Sequence, residues 1–479
     1  RAQAAPSAPC LADPAADLDL DNAAFLDRVQ RAAAVLRRNG VEEGDVVAIV
    51  LPNVAELIVG LFAAWRVGAA VTTVNPALTL SETQFQVEDS GARVVIGTVE
   101  GLEAQTVGAD TLAEEPPDAT GAVDLADDAL ALLIYTSGTT GKPKGVMLDH
   151  ANIDAMCHSA MASLGISEED HSLLVLPLFH ANGIVAGTLT PLLAGGRVTI
   201  SPRFEPQAFL ETIERVRPTY FSAVPAIYAM LSALPEGASA DTSSLRIVIC
   251  GAAPMPAELI QRVEERFGVV LVEGYGLSEG TCASTINPYD GVRKPGTVGL
   301  PMADQEVRCV DEDGNEVPTG ERGEVLISGP TIMRGYLNRP EETAKTVVDG
   351  WLHTGDVGVF DEDGYLAIVD RIKDMIIRGG ENIFPKEIET VLYAADGVLE
   401  AAVIGRPDER LGEVVVAYVV LREESELTAP DLAAHCLEHL ARYKQPVAIE
   451  IVDALPKNPV GKIDKPTIRK QDAAALTEA

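Results

Sequence analysis

Eleven residues, Tyr135-Thr136-Ser137-Gly138-Thr139-Thr140-Gly141-Lys142-Pro143-Lys144-Gly145, hold three glycines, four aliphatic hydroxyls and two lysines directly after the apolar run Leu130 to Ile134. Glycines let backbone N–H groups come close to an anion, hydroxyls add uncharged donors, and lysines neutralise the phosphate charge that is left. This is the composition of a cradle for a nucleoside triphosphate. Its binding residues are Thr136, Ser137, Gly138, Thr139, Thr140, Gly141, Lys142 and Lys144. The nucleoside-triphosphatase loop G-x-x-x-x-G-K-[ST] fails twice here. Only two residues part Gly138 from Gly141, and Lys142 is followed by Pro143, which has no hydroxyl and disturbs a helix opening there. A flexible polar linker would not gather hydroxyls and lysines straight after a buried strand.

Six further segments carry groups able to do chemistry, each with a plainer reading beside it. His180 in Phe179-His180-Ala181-Asn182-Gly183 reads, taken alone, as a hydrogen-bonded structural histidine. Cys250-Gly251-Ala252-Ala253-Pro254 reads as a tight turn, although small side chains are also what a flat ring needs to reach the backbone. Glu273-Gly274-Tyr275-Gly276-Leu277-Ser278-Glu279-Gly280 suggests the dinucleotide fingerprint G-x-G-x-x-G. Its third glycine arrives one residue late, however, and Tyr275 would crowd a pyrophosphate. Asp356 closes Trp351-Leu352-His353-Thr354-Gly355-Asp356, where an aspartate ordinarily makes a local backbone bond. Asp370-Arg371-Ile372-Lys373-Asp374 is a charged stretch followed by Gly379-Gly380-Glu381-Asn382-Ile383. Lys462 ends Pro456-Lys457-Asn458-Pro459-Val460-Gly461-Lys462, where a lysine is ordinarily a solvated charge.

Taken in order, these segments resemble the motifs of the adenylate-forming (ANL) enzymes, the superfamily of acyl-CoA synthetases, 4-coumarate-CoA ligases, firefly luciferase and peptide-synthetase adenylation domains. The likeness runs from about Asp21 to Arg469 and is closest in texture to fatty-acyl and 4-coumarate ligases. It implies that the glycine-rich run is the phosphate loop and that Gly251, Ala252 and Ala253 form a shelf for adenine. Glu273, Gly274, Tyr275 and Gly276 then flank the adenine, with Tyr275 stacking on it. Ser278 bonds the α-phosphate, and Glu279, with Thr139, contacts magnesium. Asp356 takes both ribose hydroxyls, Arg371 meets ribose or phosphate, and Lys373 is the hinge. Gly379 and Gly380 line a pantetheine tunnel, Arg203 meets the coenzyme A nucleotide, and Lys462 is the adenylation lysine. His180 stands where amino-acid-activating members commonly have an aspartate for the substrate ammonium, so an α-amino acid is disfavoured. The chain departs from the pattern in having Ser278 for threonine, an abbreviated segment between Gly97 and Asp128, and a curtailed N-terminus.

Elements that could hold such residues are visible in the periodicity. Phe25, Leu26, Val29, Ala32, Ala33 and Leu36 recur at helical spacing, with Asp21 placed to cap and Gly40 to stop. Short β-branched runs follow: Val46 to Leu51, Val71 to Val74, Val94 to Ile96, Leu130 to Tyr135, Leu173 to Leu176, Val198 to Ile200, Tyr220 to Val224, Leu245 to Ile249 and Val269 to Val272. They alternate with the helical stretches Asn53 to Arg66, Gln207 to Val216 and Pro256 to Phe267, which is the pattern of parallel sheets covered by helices. After Gly296 the twin turn signals Asp311-Glu312-Asp313-Gly314 and Asp361-Glu362-Asp363-Gly364 point to a β-rich subdomain. From Arg371 onward, strands Ala401 to Ile404 and Val414 to Leu421 and helices Pro385 to Tyr393 and Ala429 to Leu440 suffice for a second domain. The expected architecture is α/β: an N-terminal domain over 1–370 of helix-covered, mostly parallel sheets with the β-rich subdomain, and a small mobile α+β lid over 371–479.

A chain of 479 residues with 47% hydrophobic content can build more than one core. Its formal charge of −35 argues against a nucleic-acid or anionic-membrane surface, and it requires local cations and magnesium wherever polyanions bind. Six scattered cysteines form neither a disulfide framework nor a zinc cluster and fit a reducing cytoplasm. The most apolar stretch, Leu57 to Trp65, falls far short of the ~20 residues that span a bilayer. Arg1 to Asp17 lacks the apolar core of a secretory signal. The resemblance implies an acyl-CoA ligase using ATP, Mg2+ and coenzyme A on a carboxylic acid. The small residues Ala181, Gly183, Ala223, Ala226 and Ala283, and no obvious base for a second carboxylate, point to medium or long fatty acids or aryl-propenoic acids. Transfer to a carrier-protein pantetheine, or to oxygen as in luciferase, is the alternative enzyme. A non-catalytic nucleotide sensor is the alternative from another class, opposed by the presence of both Lys462 and Glu279. The oligomeric state stays open, with a homodimer as one option.

Overall fold

The computed structural model describes residues 1–136, 143–201, 203–235, 237–253, 255–408, 410–457 and 462–478. Two compact units divide it. One comprises Arg1–Val307, Leu326–His353 and Asp363–Leu366, the other Arg308–Val325, Thr354–Glu362 and Ala367–Ala479. The units therefore interleave along the chain instead of meeting at a single point.

The first unit is built on two large sheets. In the seven-stranded sheet, Leu130–Thr136, Ala70–Thr73, Val46–Ile49, Val94–Ile96 and Thr106–Val107 run parallel, and Lys144–Asp149 and Gly335–Tyr336 are added antiparallel at one side. The nine-stranded sheet has a parallel centre in the order Val270–Tyr275, Ile247–Cys250, Tyr220–Ala223, His171–Leu174, Arg197–Ile200 and Pro9–Asp13. Antiparallel strands close both of its edges. Central strands such as Val46–Ile49, Tyr220–Ala223 and Ile247–Cys250 are buried along their whole length. That explains why they read as unbroken apolar runs and not as alternating ones. Beneath the second sheet, Phe209, Phe221 and Tyr228 pack ring on ring at 5.2 and 5.7 Å, and the Tyr228 hydroxyl donates to Ile249 O at 2.7 Å.

Helix starts follow local chemistry. Asp21 accepts from Ala24 N at 2.8 Å and opens the helix Asn22–Arg38, while Asp149 and Asn152 form a reciprocal capping box at the start of His150–Leu164. Two differences from the sequence-based expectation affect the site. The strand expected over Leu173 to Leu176 ends at Leu174, so Pro177 to His180 is loop. The N-terminal stretch, with no element expected, supplies the strands Pro9–Asp13 and Leu18–Asp21, with Leu11 fully buried against Val198. Tertiary pairing makes these strands where local propensity is silent.

In the second unit Val398–Asp408 and Gly412–Leu421 form a long antiparallel hairpin. Ile376–Arg378 and Ala448–Ile451 pair with Gly412–Leu421, and Glu381–Ile383 extends the sheet. Successive residues of the hairpin alternate between two apolar clusters. Ala401, Val403, Val415, Ala417 and Val419 enter one, with the helices Pro385–Tyr393 and Ala429–His439. Ala402, Ile404, Val416 and Val420 enter the other, with Leu455 and Ile468. Burial on both faces accounts for the continuous run Val414 to Leu421.

Candidate active site

In the nine-stranded sheet the parallel register sets Ala223 beside Cys250 and Cys250 beside Glu273. The first two strands end at Ala223 and Cys250 while the third runs on to Tyr275, and the carboxyl ends of such parallel strands are where open α/β sheets take ligands. Gly251 follows Cys250, and a Cβ built there would meet nothing nearer than Gly274 O at 3.6 Å. Ala252 has φ +69°, a left-handed conformation that side chains seldom adopt, and both Ala252 and Ala253 are exposed. Such strain persists only where the surroundings enforce it. Nearby in the chain, Met255 N donates to the buried Glu273 at 3.1 Å. This bond ties Met255 to the strand Val270–Tyr275. Gly274 and Tyr275 pair with Ile286 and Thr285, and Tyr275 is half-buried. Gly276 admits no side chain, since a Cβ there would stand 2.2 Å from Cys282 O.

His180 lies half-buried at the mouth of the same strand ends, its ring 4.7 Å from that of Phe179. It is followed by a continuous helical run: Ala181–Ile184, the wider π-turn Val185–Leu189, and Thr190–Ala194. Three buried hydroxyls hold carbonyls in this run. Thr188 donates to Gly183 O at 2.9 Å, Tyr220 to Ala186 O at 2.9 Å and Ser172 to Gly187 O at 2.8 Å. Gly183 is tight against Pro177, where a Cβ would fall 2.3 Å from the carbonyl oxygen.

Of the glycine-rich loop, Ser137, Gly138, Thr139, Thr140, Gly141 and Lys142 lie outside the described residues. Its flanks are paired strand residues, Thr136 opposite Lys144. The Lys144 ammonium forms an ion pair with Glu342 and stands 4.9 Å from the centroid of the Tyr336 ring. The Tyr336 hydroxyl donates to Glu279 Oε1 at 2.8 Å. Ser278 and Glu279 occupy the short 3-10 turn Ser278–Gly280, which is anchored where Met333 N donates to Glu279 O at 2.9 Å. A carboxylate accepts only, so with Oε1 engaged by a phenol, Oε2 is the oxygen for a hard cation, and Glu279 fits magnesium. Arg203 is exposed. Tyr336 and Glu342 carried no signal in the sequence, because neither belongs to a glycine-rich or charged motif.

The second unit brings another set together. Asp356, buried in the strand Trp351–Phe360, pairs through Oδ1 with Arg371 Nε at 3.0 Å. Thr354 helps to place it, donating to Val325 O at 2.7 Å and accepting from Asp356 N at 3.0 Å. Lys462 keeps an exposed side chain, yet the protein around it thins its water. This desolvation, with the Arg371 guanidinium, holds its ammonium below the ordinary lysine range against the opposing pull of Asp356. Lys373, in the turn Ile372–Asp374, is lowered in the same way, by burial first and Arg371 next. Asp370 is buried and accepts from Arg371 N and Lys386 N, each at 2.7 Å. Gly379 and Gly380, with φ of +61° and +90°, form the two-residue turn between Ile376–Arg378 and Glu381–Ile383. Two left-handed residues in a hairpin turn call for glycine. Sequence motifs far apart in the chain thus converge: Asp356, Arg371, Lys373 and Lys462 share one cluster.

Comparison with known proteins agrees with this geometry. The family model described as AMP-binding enzyme matches residues 1–337, and that of the AMP-binding enzyme C-terminal domain matches 387–462. A feruloyl-CoA synthase of Amycolatopsis sp. is 41% identical over 459 residues, covering 93% of this chain and 92% of its own. The long-chain-fatty-acid–CoA ligase FadD13 of Mycobacterium tuberculosis is 35% identical over 495 residues, covering 99% and 98%. Among solved structures, the o-succinylbenzoate coenzyme A synthetase (MenE) of Bacillus subtilis, in complex with ATP and magnesium ion, superposes with a TM-score of 0.88. It is 33% identical and covers 98% of this chain and 97% of its own. The chain belongs to the AMP-binding enzyme family and is an adenylate-forming, ATP-dependent enzyme of the acyl-CoA ligase type.

Proposed function

We propose that the chain activates a medium- or long-chain fatty acid or an aryl-propenoic acid and transfers it to coenzyme A. The observation that carries this reading is the set of small residues at the strand ends. Ala181 and Ala223 are small and buried, and a side-chain carbon at Gly251 would meet Gly274 O at 3.6 Å and Asn182 Nδ2 at 3.9 Å without a clash. Small residues around a substrate leave room for an extended hydrocarbon or an aromatic acid. The activities named for two relatives, feruloyl-CoA and long-chain fatty-acyl-CoA formation, fall in the same two classes. A cytoplasmic setting belongs to the same proposal, since all six cysteines are free thiols.

A carboxylate is a poor electrophile, so its activation comes first. In this reading a carboxylate oxygen attacks the ATP α-phosphorus, the bond to the bridging oxygen breaks, and pyrophosphate leaves. Magnesium, when bound, neutralises charge that gathers on the leaving group. Glu279 holds the cation, Ser278 donates to the α-phosphate, and the loop from Thr136 to Lys144 receives the outer phosphates. Tyr275 stacks on adenine above Gly251, Ala252 and Ala253. Asp356 accepts from the ribose hydroxyls with Arg371 beside it, and the Lys462 ammonium bridges the attacking oxygen and the α-phosphate. In the second half-reaction the coenzyme A sulfur attacks the acyl carbon and AMP departs with the electron pair. His180 borders the thiol path, Gly379 and Gly380 line the pantetheine route, and Arg203 meets the coenzyme's nucleotide phosphate. The lid over 371–479 turns about Lys373 between the two steps.

The test is pyrophosphate release, with and without coenzyme A, over carboxylic acids graded in length and aromaticity. AMP and an acyl thioester should form with one of the two proposed classes. Thioester formation confined to short dicarboxylic acids would overturn the substrate assignment, and ADP with inorganic phosphate would overturn the mechanism.

A further inference from the structure

Lys462 opens a stretch that the C-terminal unit holds at several points. Ile463 bridges Lys457 antiparallel, Asp464 N donates to Pro456 O at 2.8 Å, and Asp464 accepts from Thr467 Oγ1 at 2.7 Å as the helix Lys465–Glu478 begins. Lys465 and Arg469 follow at i and i+4, on one face of that helix. Each reaches an acid on a different element. Lys465 Nζ lies 2.7 Å from Glu389 Oε1 of the helix Pro385–Tyr393, and the same oxygen accepts from Val403 N at 2.8 Å. Arg469 Nη2 lies 2.8 Å from Oδ1 of Asp374, the last residue of the turn Ile372–Asp374. That turn follows directly on Arg371, the partner of Asp356. Farther along the helix, Asp472 accepts from Arg406 Nε at 2.9 Å and from the Tyr418 hydroxyl.

We propose that Arg469 is a positioning residue for adenylation: its pair with Asp374, with Lys465 on Glu389 as the second fixed point, sets where the Lys462 ammonium stands relative to Arg371 and Asp356. This deepens the functional reading above and rests on the role given there to Lys462. The physical basis is the lysine's own flexibility. An ammonium on a four-carbon stem is located only as well as the backbone that carries it. Two contacts fix that backbone, and they differ in kind. The Lys465–Glu389 pair is deep, with side chains 16% and 15% exposed. Burial raises the Glu389 carboxyl above its ordinary range and Lys465 opposes this, so removing Lys465 would strand a buried charge and threaten the fold. The Arg469–Asp374 pair is shallower, with Arg469 32% exposed, and such pairs add little to stability. What it does supply is a direct tie between the helix that follows Lys462 and the turn that follows Arg371. A displacement of about 1 Å at a reacting group can cost up to about a hundredfold in rate.

The experiment uses the full chain and the acid that yields most AMP with the wild type. It follows the two half-reactions apart: acid-dependent pyrophosphate release, and thioester formation from supplied acyl-adenylate and coenzyme A. Arg469→Met should slow the first about tenfold and leave the second within about twofold. Arg469→Lys, which keeps a cation, should recover most of the loss. In a Lys462→Met background Arg469→Met should add less than about twofold, because a residue that acts through Lys462 has nothing left to position. Asp374→Asn removes the same pair from the other side, should act alike, and serves if Arg469→Met does not fold. Asp472→Asn is the control for general loosening of the helix: it should lower the midpoint of thermal unfolding and leave the ratio of the half-reactions unchanged. Equal slowing of both half-reactions by Arg469→Met, or its full tenfold effect without the Lys462 ammonium, or a ratio shifted as far by Asp472→Asn, overturns the positioning role. If Lys462→Met itself slows both half-reactions equally, the functional reading of Lys462 falls instead.

Discussion

Replacing Lys462 by methionine keeps most of the side chain's length and removes only the ammonium. Its expected effect is confined to one half-reaction. The cluster around it sets the scale. Asp356 is already the partner of Arg371 Nε at 3.0 Å, and the lowered Lys462 ammonium is desolvated, so its charge acts through a medium far less screening than water. A unit charge about 4 Å from the charge developing on the α-phosphate, at an effective dielectric of about 20, contributes about 4 kcal/mol. That is roughly a thousandfold in rate. Adenylation, followed as acid-dependent pyrophosphate release, should therefore fall by about three orders of magnitude. Thioester formation from a supplied acyl-adenylate and coenzyme A should stay within a few-fold of wild type. Comparable loss in both half-reactions would refute the assignment, because it would mean that Lys462 supports the fold or the nucleotide in general. Retained adenylation would refute it more directly.

Lys373→Pro stiffens the turn Ile372–Asp374 and restricts Ile372 before it, so thioester formation should suffer more than adenylation. Equal losses would count against a hinge there. His171, half-buried with Nε2 2.7 Å from Thr199 Oγ1, has its pKa pushed down from 6.5 to about 4 by desolvation, and then by Arg197. The unfolded chain therefore binds this proton first, so stability is undiminished above 6.5, falls as pH drops toward 4, and has lost about 3 kcal/mol below that. His171→Asn should flatten the pH dependence of thermal unfolding over that window, and an unaltered slope would contradict it. Lys373 and Lys462 both have lowered pKa values from desolvation and from Arg371, so a bound polyanion should raise them. ATP binding on the alkaline side should then be accompanied by proton uptake, read as a dependence of calorimetric heat on the buffer's ionisation enthalpy. Heats independent of the buffer would exclude it.

What was legible in the sequence is what local physics dictates. The helix Asn22–Arg38 announces itself through Asp21 and a 3.6-residue period, and the central strands through short β-branched runs between helical stretches. The Gly379-Gly380 turn follows from the two left-handed residues it needs. Opaque to the sequence were elements that exist only because of distant partners. The helical run from Ala181 to Ala194 contains Gly183, Gly187 and Pro191, poor helix formers. It holds because Tyr220, Ser172 and Thr188 satisfy its carbonyls and because Gly183 and Gly187 fit against Pro177 and Leu174. Glu273, placed beside the adenine by the resemblance, also accepts from Met255 N, a bond that depends on which carboxylates and amides meet in three dimensions. Tyr336 shows the same limit, since nothing in Gly335-Tyr336-Leu337 foretells its bond to Glu279.

The charge distribution resolves the conflict posed by a chain of net charge −35 that must receive ATP and coenzyme A. Long-range attraction is not available to such a protein, because exposed charges beyond about 10 Å are screened at ordinary ionic strength. What matters is the field within a few ångströms of the phosphates. Arg371, Lys373, Lys462 and Arg469 belong to the C-terminal unit, where desolvation first and Arg371 next depress both lysines. Asp356 and Asp374, which sit among them, are each held by an arginine, at 3.0 Å to Arg371 and 2.8 Å to Arg469. The two lysines are thus crowded by like charge and short of water. A phosphate relieves both penalties at once, and water relieves only one. In the proposed mechanism, this crowding is what favours a polyanion at these cations in an otherwise repellent molecule.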